Sequence, residues 1–189
     1  MFSRRFKSFA IVVVVATAVA LSVRLFVIES FRVISHSMVP TLNDGDIVFV
    51  SKMAYNMRVP FSTYELLRTG KPKANEVVAF SLPDKGGETF IKRVVGVEGD
   101  QVQIRGGKVF INDKEVQTFG KGPIAGEYGP VDVPTGHFFA MGDNSGDSTD
   151  SRTWGPIPDS CLKGRVALVW FSIDDSGGLR SDRIGLRVK

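Results

Sequence analysis

"TFIKRVVGVEGDQVQIRGGKVFI", residues 89–111, decides the fold class. Its first nine residues, Thr89 to Val97, are rich in β-branched and aromatic side chains and read as a strand. "QVQIRGGKVFI" then alternates apolar and polar residues on both sides of Gly106-Gly107, which predicts a hairpin. Outward from this stretch the same composition returns in "DIVFVSK" (46–52), "EVVAFSL" (76–82), "HFFAMGD" (137–143) and "GRVALVWFSI" (164–173). Clusters of Gly, Pro, Asp and Ser separate these runs. Beyond residue 29 no amphipathic helix longer than two or three turns stands out. Residues 53–75 are ambiguous, with a short helix expected at "STYELLR". There is no repeat and no low-complexity tract. The pattern predicts a mostly β chain, one compact antiparallel or mixed β domain, preceded by a single N-terminal transmembrane helix.

That helix is read from the other end of the chain. "SRRFKS" is basic, and Phe9 to Val23 carries no charge; Arg24 interrupts before "LFVI" runs on to Ile28. Phe9 to Ile28 is 20 residues, and about 1.5 Å per residue gives roughly 30 Å, one hydrocarbon core. Arg24 falls near the far end, where its stem can snorkel to the headgroups. Arg4, Arg5 and Lys7 place the N-terminus in the cytoplasm. The expected organisation is a basic cytoplasmic segment (1–8), an anchor (9–28) and an extracytoplasmic β-rich domain (29–189). A cleaved signal peptide fits the same stretch, since Ala18-Val19-Ala20 offers a small-x-small site.

Composition removes several classes of function. Lys and Arg number 24 against 20 Asp and Glu, and the net charge of +4 is spread along the chain. No basic block is interleaved with aromatics, so nucleic acid is not an expected partner. Cys161 is the sole cysteine, which excludes an intrachain disulfide and a cysteine-based zinc cluster. No metal or cofactor is expected.

Chemistry concentrates in three places. "FRVISHSMVPTL" (31–42) starts like a strand and ends like a turn, with Ser37 at its centre. It is either a tight structural turn or a nucleophile held near the anchor. A nucleophilic serine needs a base. His36 adjoins Ser37, but neighbours on an extended chain point to opposite sides. His137 fits a satisfied core or edge histidine. Lys92 lies mid-strand, with Phe90 and Val94 on its face and Ile91, Arg93 and Val95 on the other. An unperturbed lysine is protonated at neutral pH, and burial among apolar neighbours can make it a base. By pattern alone, a strand lysine snorkelling at a sheet edge is the favoured reading.

The third place is "MGDNSGDSTDSRTWGPIP" (141–158). Asp143, Ser145 and Asp147 alternate as in a calcium loop, but Ser148 stands where that loop needs Gly and Trp154 where it needs Glu. A polar loop closed by an Asp–Arg pair and buttressed by Trp154 and two prolines fits better. "SCLK" (160–163) matches the Ser-x-x-Lys of penicillin-recognising enzymes but lacks the Ser-Asp-Asn and Lys-Thr-Gly companions.

Together these stretches resemble bacterial type I signal peptidase, a membrane-bound serine/lysine protease. "SHSMVPTL" resembles its nucleophile box, "GDIVFVSK" the strand after it, "FIKRVVGVEGD" its lysine box and "GDNSGDSTDSRTWGPIP" its last box, in the family's order and behind an apolar segment. The resemblance spans residues 35–158. It implies Ser37 as nucleophile and Lys92 as general base, with the oxyanion hole formed by the Ser37 N–H and the Ser35 hydroxyl. It implies that Ser148 orients the lysine, that Asp143, Asp150 and Arg152 shape the site, and that Val33, Met38, Leu42, Phe90 and Ile91 line small-residue pockets. The implied partners are preproteins carrying signal peptides, and membrane lipid; the implied location is the plasma membrane. Ile34 and His36 stand where proline and glycine are common in the Gram-negative form, which bears on pocket shape more than on chemistry. Three rivals share features: a self-cleaving SOS-type repressor, a pilin-processing peptidase of the same superfamily, and a non-catalytic anchored peptide-binding β-domain. The sole Ala-Gly bond, Ala125-Gly126, lies after Ser37, whereas self-cleaving repressors cut before the serine.

Overall fold

The computed structural model describes residues 4–58, 65–116, 120, 124, 126–174 and 176–188. Helix α1 (Arg4–Phe26) is 23 residues long, about 35 Å at 1.5 Å per residue. Its Phe6–Phe26 part is long and apolar enough to cross a membrane, and its apolar side chains, such as Phe9, Val12 and Val14, are exposed. The helix stops short of the expected Ile28. Strand β1 (Ile28–Arg32) begins there because Ile28 pairs with Ser51 of β2 (Asp46–Ser51). Lys52 closes the junction: its N–H donates to Val27 O (2.9 Å) and its Nζ to Leu25 O (3.0 Å), a carbonyl left over at the helix end.

The chain continues through β3 (Asn56–Arg58), β4 (Glu65–Arg68), β5 (Val77–Ser81), β6 (Thr89–Val97), β7 (Gln101–Arg105), β8 (Lys108–Ile111), β9 (Lys114–Val116), β10 (Tyr128–Asp132) and β11 (His137–Met141). A single-turn helix α2 (Ser151–Trp154) precedes β12 (Ile157–Pro158) and the long β13 (Leu162–Ser172). One sheet has the order β1-β2-β13-β5-β6-β11-β12, a second β10-β7-β8-β9, and β3 pairs with β4. Every pairing is antiparallel. The expected hairpin is β7–β8, with Gly106 and Gly107 at φ 57° and 76°, the positive values a tight two-residue turn requires. The helix expected at "STYELLR" is not formed: Glu65–Arg68 is a strand, and residues 62–64 lie outside the described residues. Pairing with β3 outweighs the weak helical preference of so short a segment.

The period of two along β5 sorts the core. Val77 and Ala79 join Val33, Met38, Leu42, Val48 and Val50, while Val78 and Phe80 join Val94, Phe138, Ile157 and Leu162. A third cluster ties Phe139 and Met141 to Val102, Ile104 and Val109 of the second sheet. The register of β6 leaves part of that strand open. β11 pairs with it only from Met141↔Arg93 to Phe138↔Val97. Thr89 to Lys92 therefore have β5 on one side and, among the described residues, no strand on the other. β1 is likewise an edge, paired among the described residues with β2 alone.

Candidate active site

Beyond β1 the chain stays beside β2 for one more step. Val33 N–H donates to Asp46 O (2.8 Å) and Gly45 N–H to Val33 O (3.0 Å). It then turns sharply: Val39 N–H bonds His36 O (3.1 Å) and Leu42 N–H bonds Met38 O (2.9 Å). Met38 and Leu42 are 1% and 0% exposed and anchor the corner in the first core cluster. A second clamp comes from the C-terminal segment, where Arg183 pairs with buried Asp46 (2.6 Å) and donates to Thr41 O (3.1 Å). Ser37 sits on this braced corner, 7% exposed.

Lys92, 4% exposed on β6, donates from Nζ to Ser37 Oγ at 2.5 Å. The Ser35 hydroxyl lies 3.1 Å from Ser37 Oγ. Burial lowers the Lys92 pKa from 10.5 to about 8 against the pull of Asp150, Asp143 and Asp147, with Arg152 adding to the lowering. His36 is exposed. His137 Nδ1 lies 3.0 Å from Thr135 O at the start of β11.

The polar loop is fixed by two carboxylates. Asp150, fully buried, accepts from Gly142 N–H (3.0 Å), Ser148 Oγ (2.9 Å) and Arg152 Nε (2.8 Å). Asp143 accepts from Arg93 Nε and Nη2 (2.8 and 2.7 Å) and from Thr41 Oγ1 (2.5 Å). The loop docks on the Ser37 corner through Asn144, whose N–H donates to Ser37 O (2.9 Å) and whose Nδ2 donates to His36 O (3.1 Å). Only glycine fits beside that contact: a Cβ on Gly142 would lie 2.5 Å from Ser37 O and 2.2 Å from Ser148 Oγ. Trp154 packs at a tilt against Phe90, with ring centroids 4.9 Å apart, and holds the loop's far end.

These elements enclose a cavity of about 400 Å³ lined by Val33, Ile34, Ser35, Ser37, Met38, Phe90, Ile91, Lys92 and Ser148 among others. Of the residues expected around Ser37, Leu42 is not on its surface; it packs beneath, behind Val33 and Met38. Ser148 lines the cavity with its proton directed to Asp150, and the Lys92 hydrogen bond goes to Ser37. Sequence reasoning missed Arg93, Thr41 and Asn144. A signal for Arg93 existed: an arginine between Ile91 and Val95 on a strand needs a buried partner.

A family model described as signal peptidase, peptidase S26, matches residues 6–171. The chain belongs to the signal peptidase family. A signal peptidase I of Pseudomonas fluorescens is 32% identical over 194 residues, covering 82% of this chain and 68% of that protein. A probable signal peptidase I of Synechocystis is 33% identical over 175 residues, covering 89% and 75%. A crystal structure of a signal peptidase I from Enterococcus faecalis aligns with a TM-score of 0.44 at 23% identity, over 51% of this chain and 97% of that one. As a signal peptidase the chain is a serine endopeptidase, a hydrolase, and membership implies signal-peptide cleavage.

Chemically the arrangement suits acyl transfer. A hydroxyl, an amine neutral above about pH 8, and a second hydroxyl converge on one open-edged cleft.

Proposed function

We propose that this signal peptidase cleaves exported preproteins after an Ala-x-Ala-like segment, with Ser37 as nucleophile and Lys92 as general base. The observation that carries the reading is the 2.5 Å contact between a buried lysine amine and a braced serine hydroxyl. The open edge at Thr89–Lys92 gives an extended substrate a place to add as a strand, and Val33, Met38, Phe90 and Ile91 on the cavity wall would meet its alternate side chains. Neutral Lys92 takes the Ser37 proton along the same contact. Ser37 Oγ attacks the carbonyl, and the oxyanion is held by the Ser37 N–H and the Ser35 hydroxyl. Lys92 gives its proton to the leaving amine, then activates the water that releases the acyl group. Asp150, Arg152 and Ser148 hold the loop against this centre, and Asp143 holds Arg93 behind it. α1 anchors the chain in the plasma membrane with residues 1–8 in the cytoplasm and the β domain outside, beside the apolar core of an arriving presequence. No metal or cofactor enters this scheme.

The test is processing of a preprotein by the purified chain in detergent, with the mature N-terminus sequenced. Intact preprotein at every enzyme concentration sinks the proposal. The pH profile adds a sharper constraint. Lys92 is the active base only when neutral, so kcat/KM should rise as pH increases through about 8 and level off above it. Neither His137→Asn nor His36→Gln should move that limb; a limb that either substitution abolishes points to histidine instead.

Ser35→Ala should leave the melting temperature unchanged and lower kcat by about 10²–10³-fold, the usual cost of one oxyanion donor. A loss below tenfold assigns the donor elsewhere.

A further inference from the structure

The "SCLK" segment has no place in the proposed chemistry, yet its lysine reaches the cleft walls. Those walls are β1 with its continuation to Ser35 on one side and the first half of β6 on the other. They belong to one sheet but are separated in it by β2, β13 and β5. No ladder joins them directly, so the cleft's width depends on sheet curl and on side chains that reach across. Lys92 to Ser37 is such a tie at one end. Three residues back along β6, about 10 Å at 3.3 Å per residue, there is another. Lys163 of β13 donates from Nζ to Thr89 Oγ1 at 2.6 Å, and its ammonium lies 5.4 Å from the centroid of the Phe31 ring on β1. One cation thus grips both walls, through a charge-assisted hydrogen bond and a cation–π contact. Lys163 falls at the register irregularity between Leu162 and Gly164 in the pairing of β13 with β5, which takes it out of the regular ladder. Among the described residues it makes no ion pair that would compete for it.

We propose that Lys163 is a positioning residue that fixes the width of the cleft at its far end, and so the restriction to small side chains at the pocket between the two ties. The proposal rests on the peptidase reading. Thr89 lies on the stretch of β6 that has β5 on one side and, among the described residues, no strand on the other, so no ladder on that open side replaces the Lys163 contact when it is lost. Phe90 and Ile91, between the ties, would then be free to recede. An extended substrate would add less tightly and larger side chains would enter. Ser37 and Lys92, braced by the corner and the polar loop, would keep their geometry.

The experiment uses the full chain in detergent with two presequence peptides that differ only at the third residue before the scissile bond, Ala or Val. Lys163→Met keeps the stem and removes the ammonium. It should lower kcat/KM for the Ala peptide about tenfold, chiefly through KM, the scale of one charge-assisted contact. It should shrink the Ala-over-Val preference about threefold or more, with the acidic limb still at about 8. Lys163→Arg, which retains both contacts, should stay near wild type. Thr89→Val, which breaks the grip on β6, should lose in the same direction, and the double variant should lose no more than Lys163→Met, because the Thr89 hydroxyl acts through Lys163. Should Lys163→Met fail to fold, Thr89→Val, which removes only the acceptor hydroxyl, carries the same comparison. Unaltered selectivity in these variants, or a loss confined to kcat, overturns the role of Lys163. A wild-type chain inert toward both peptides and toward intact preprotein overturns the peptidase reading itself.

Discussion

Ser37→Ala, Lys92→Ala and the double variant are expected to lose processing to the same extent, on the order of 10⁴-fold or more in kcat. The expectation follows from the proposal that they act as one unit. A serine hydroxyl is a poor nucleophile until a base takes its proton, and the amine in contact with Ser37 Oγ is Lys92 Nζ at 2.5 Å. Removing either leaves the other without a task, so the two losses cannot add. Lys92→Arg should fail as completely, since a guanidinium stays charged and cannot accept the proton. Lys92→Met separates chemistry from folding. Lys92 has its pKa lowered by burial, so the folded chain gives up its proton at lower pH than the unfolded chain does. Below about 8 both states carry the ammonium, and the fold bears the cost of burying it. Between about 8 and 10.5 that cost is relieved as pH rises. Methionine removes the cost outright, so an inactive Lys92→Met should melt no lower than wild type at neutral pH. Single-turnover assays at high enzyme check the rates and thermal melts check the fold. Processing by either alanine variant within about tenfold of wild type removes the dyad.

How much of this is legible in the sequence depends on the range of the interaction that decides each feature. The β class follows from nearest-neighbour alternation, and so does the β7–β8 hairpin, because Gly106-Gly107 specifies its own turn. Lys92 is legible as an amine among apolar neighbours, but alternation alone favours the snorkelling lysine over the base. What separates them is Ser37, 55 residues away in sequence, and no local pattern encodes that contact. The resemblance of ordered boxes supplies the pairing. Leu42 shows the opposite failure: a box position next to a pocket can point into the core beneath it. "STYELLR" reads as helix because a short stretch with Glu and two Leu satisfies either period, and only the pairing with β3 decides it. The end of α1 moves for the same kind of reason, since Ile28 is taken by β2. Arg93 is visible as an arginine on an apolar face, but its partner lies 50 residues on, in a loop where another carboxylate, Asp150, already pairs with Arg152.

That arginine carries the second large effect. Arg93→Ala and Asp143→Ala should each cost about 3–5 kcal/mol, or about 10 °C in melting temperature for a chain of this size. Both side chains are 3% exposed, so each deletion strands an ion where water cannot reach it. Arg93 also donates from Nη1 to Asn75 O (2.7 Å), and Asp143 also accepts from Thr41, so neither site relaxes without disturbing a loop on each side. The loss should reach catalysis through Asn144, which follows Asp143 and holds the Ser37 carbonyl. Replacing both ions together, Arg93→Met with Asp143→Leu, separates the two consequences. A buried pair exchanged for apolar groups of similar volume commonly costs little or even stabilises. The double variant should therefore recover most of the melting temperature. It should recover much less of kcat, because Leu cannot accept from Thr41 and the tie between the corner and the loop stays broken. If the single variants melt within a degree or two of wild type, the pair is not what fixes the loop. If the double variant regains full activity, packing alone positions Ser37 and the Asp143 carboxylate has no part in it.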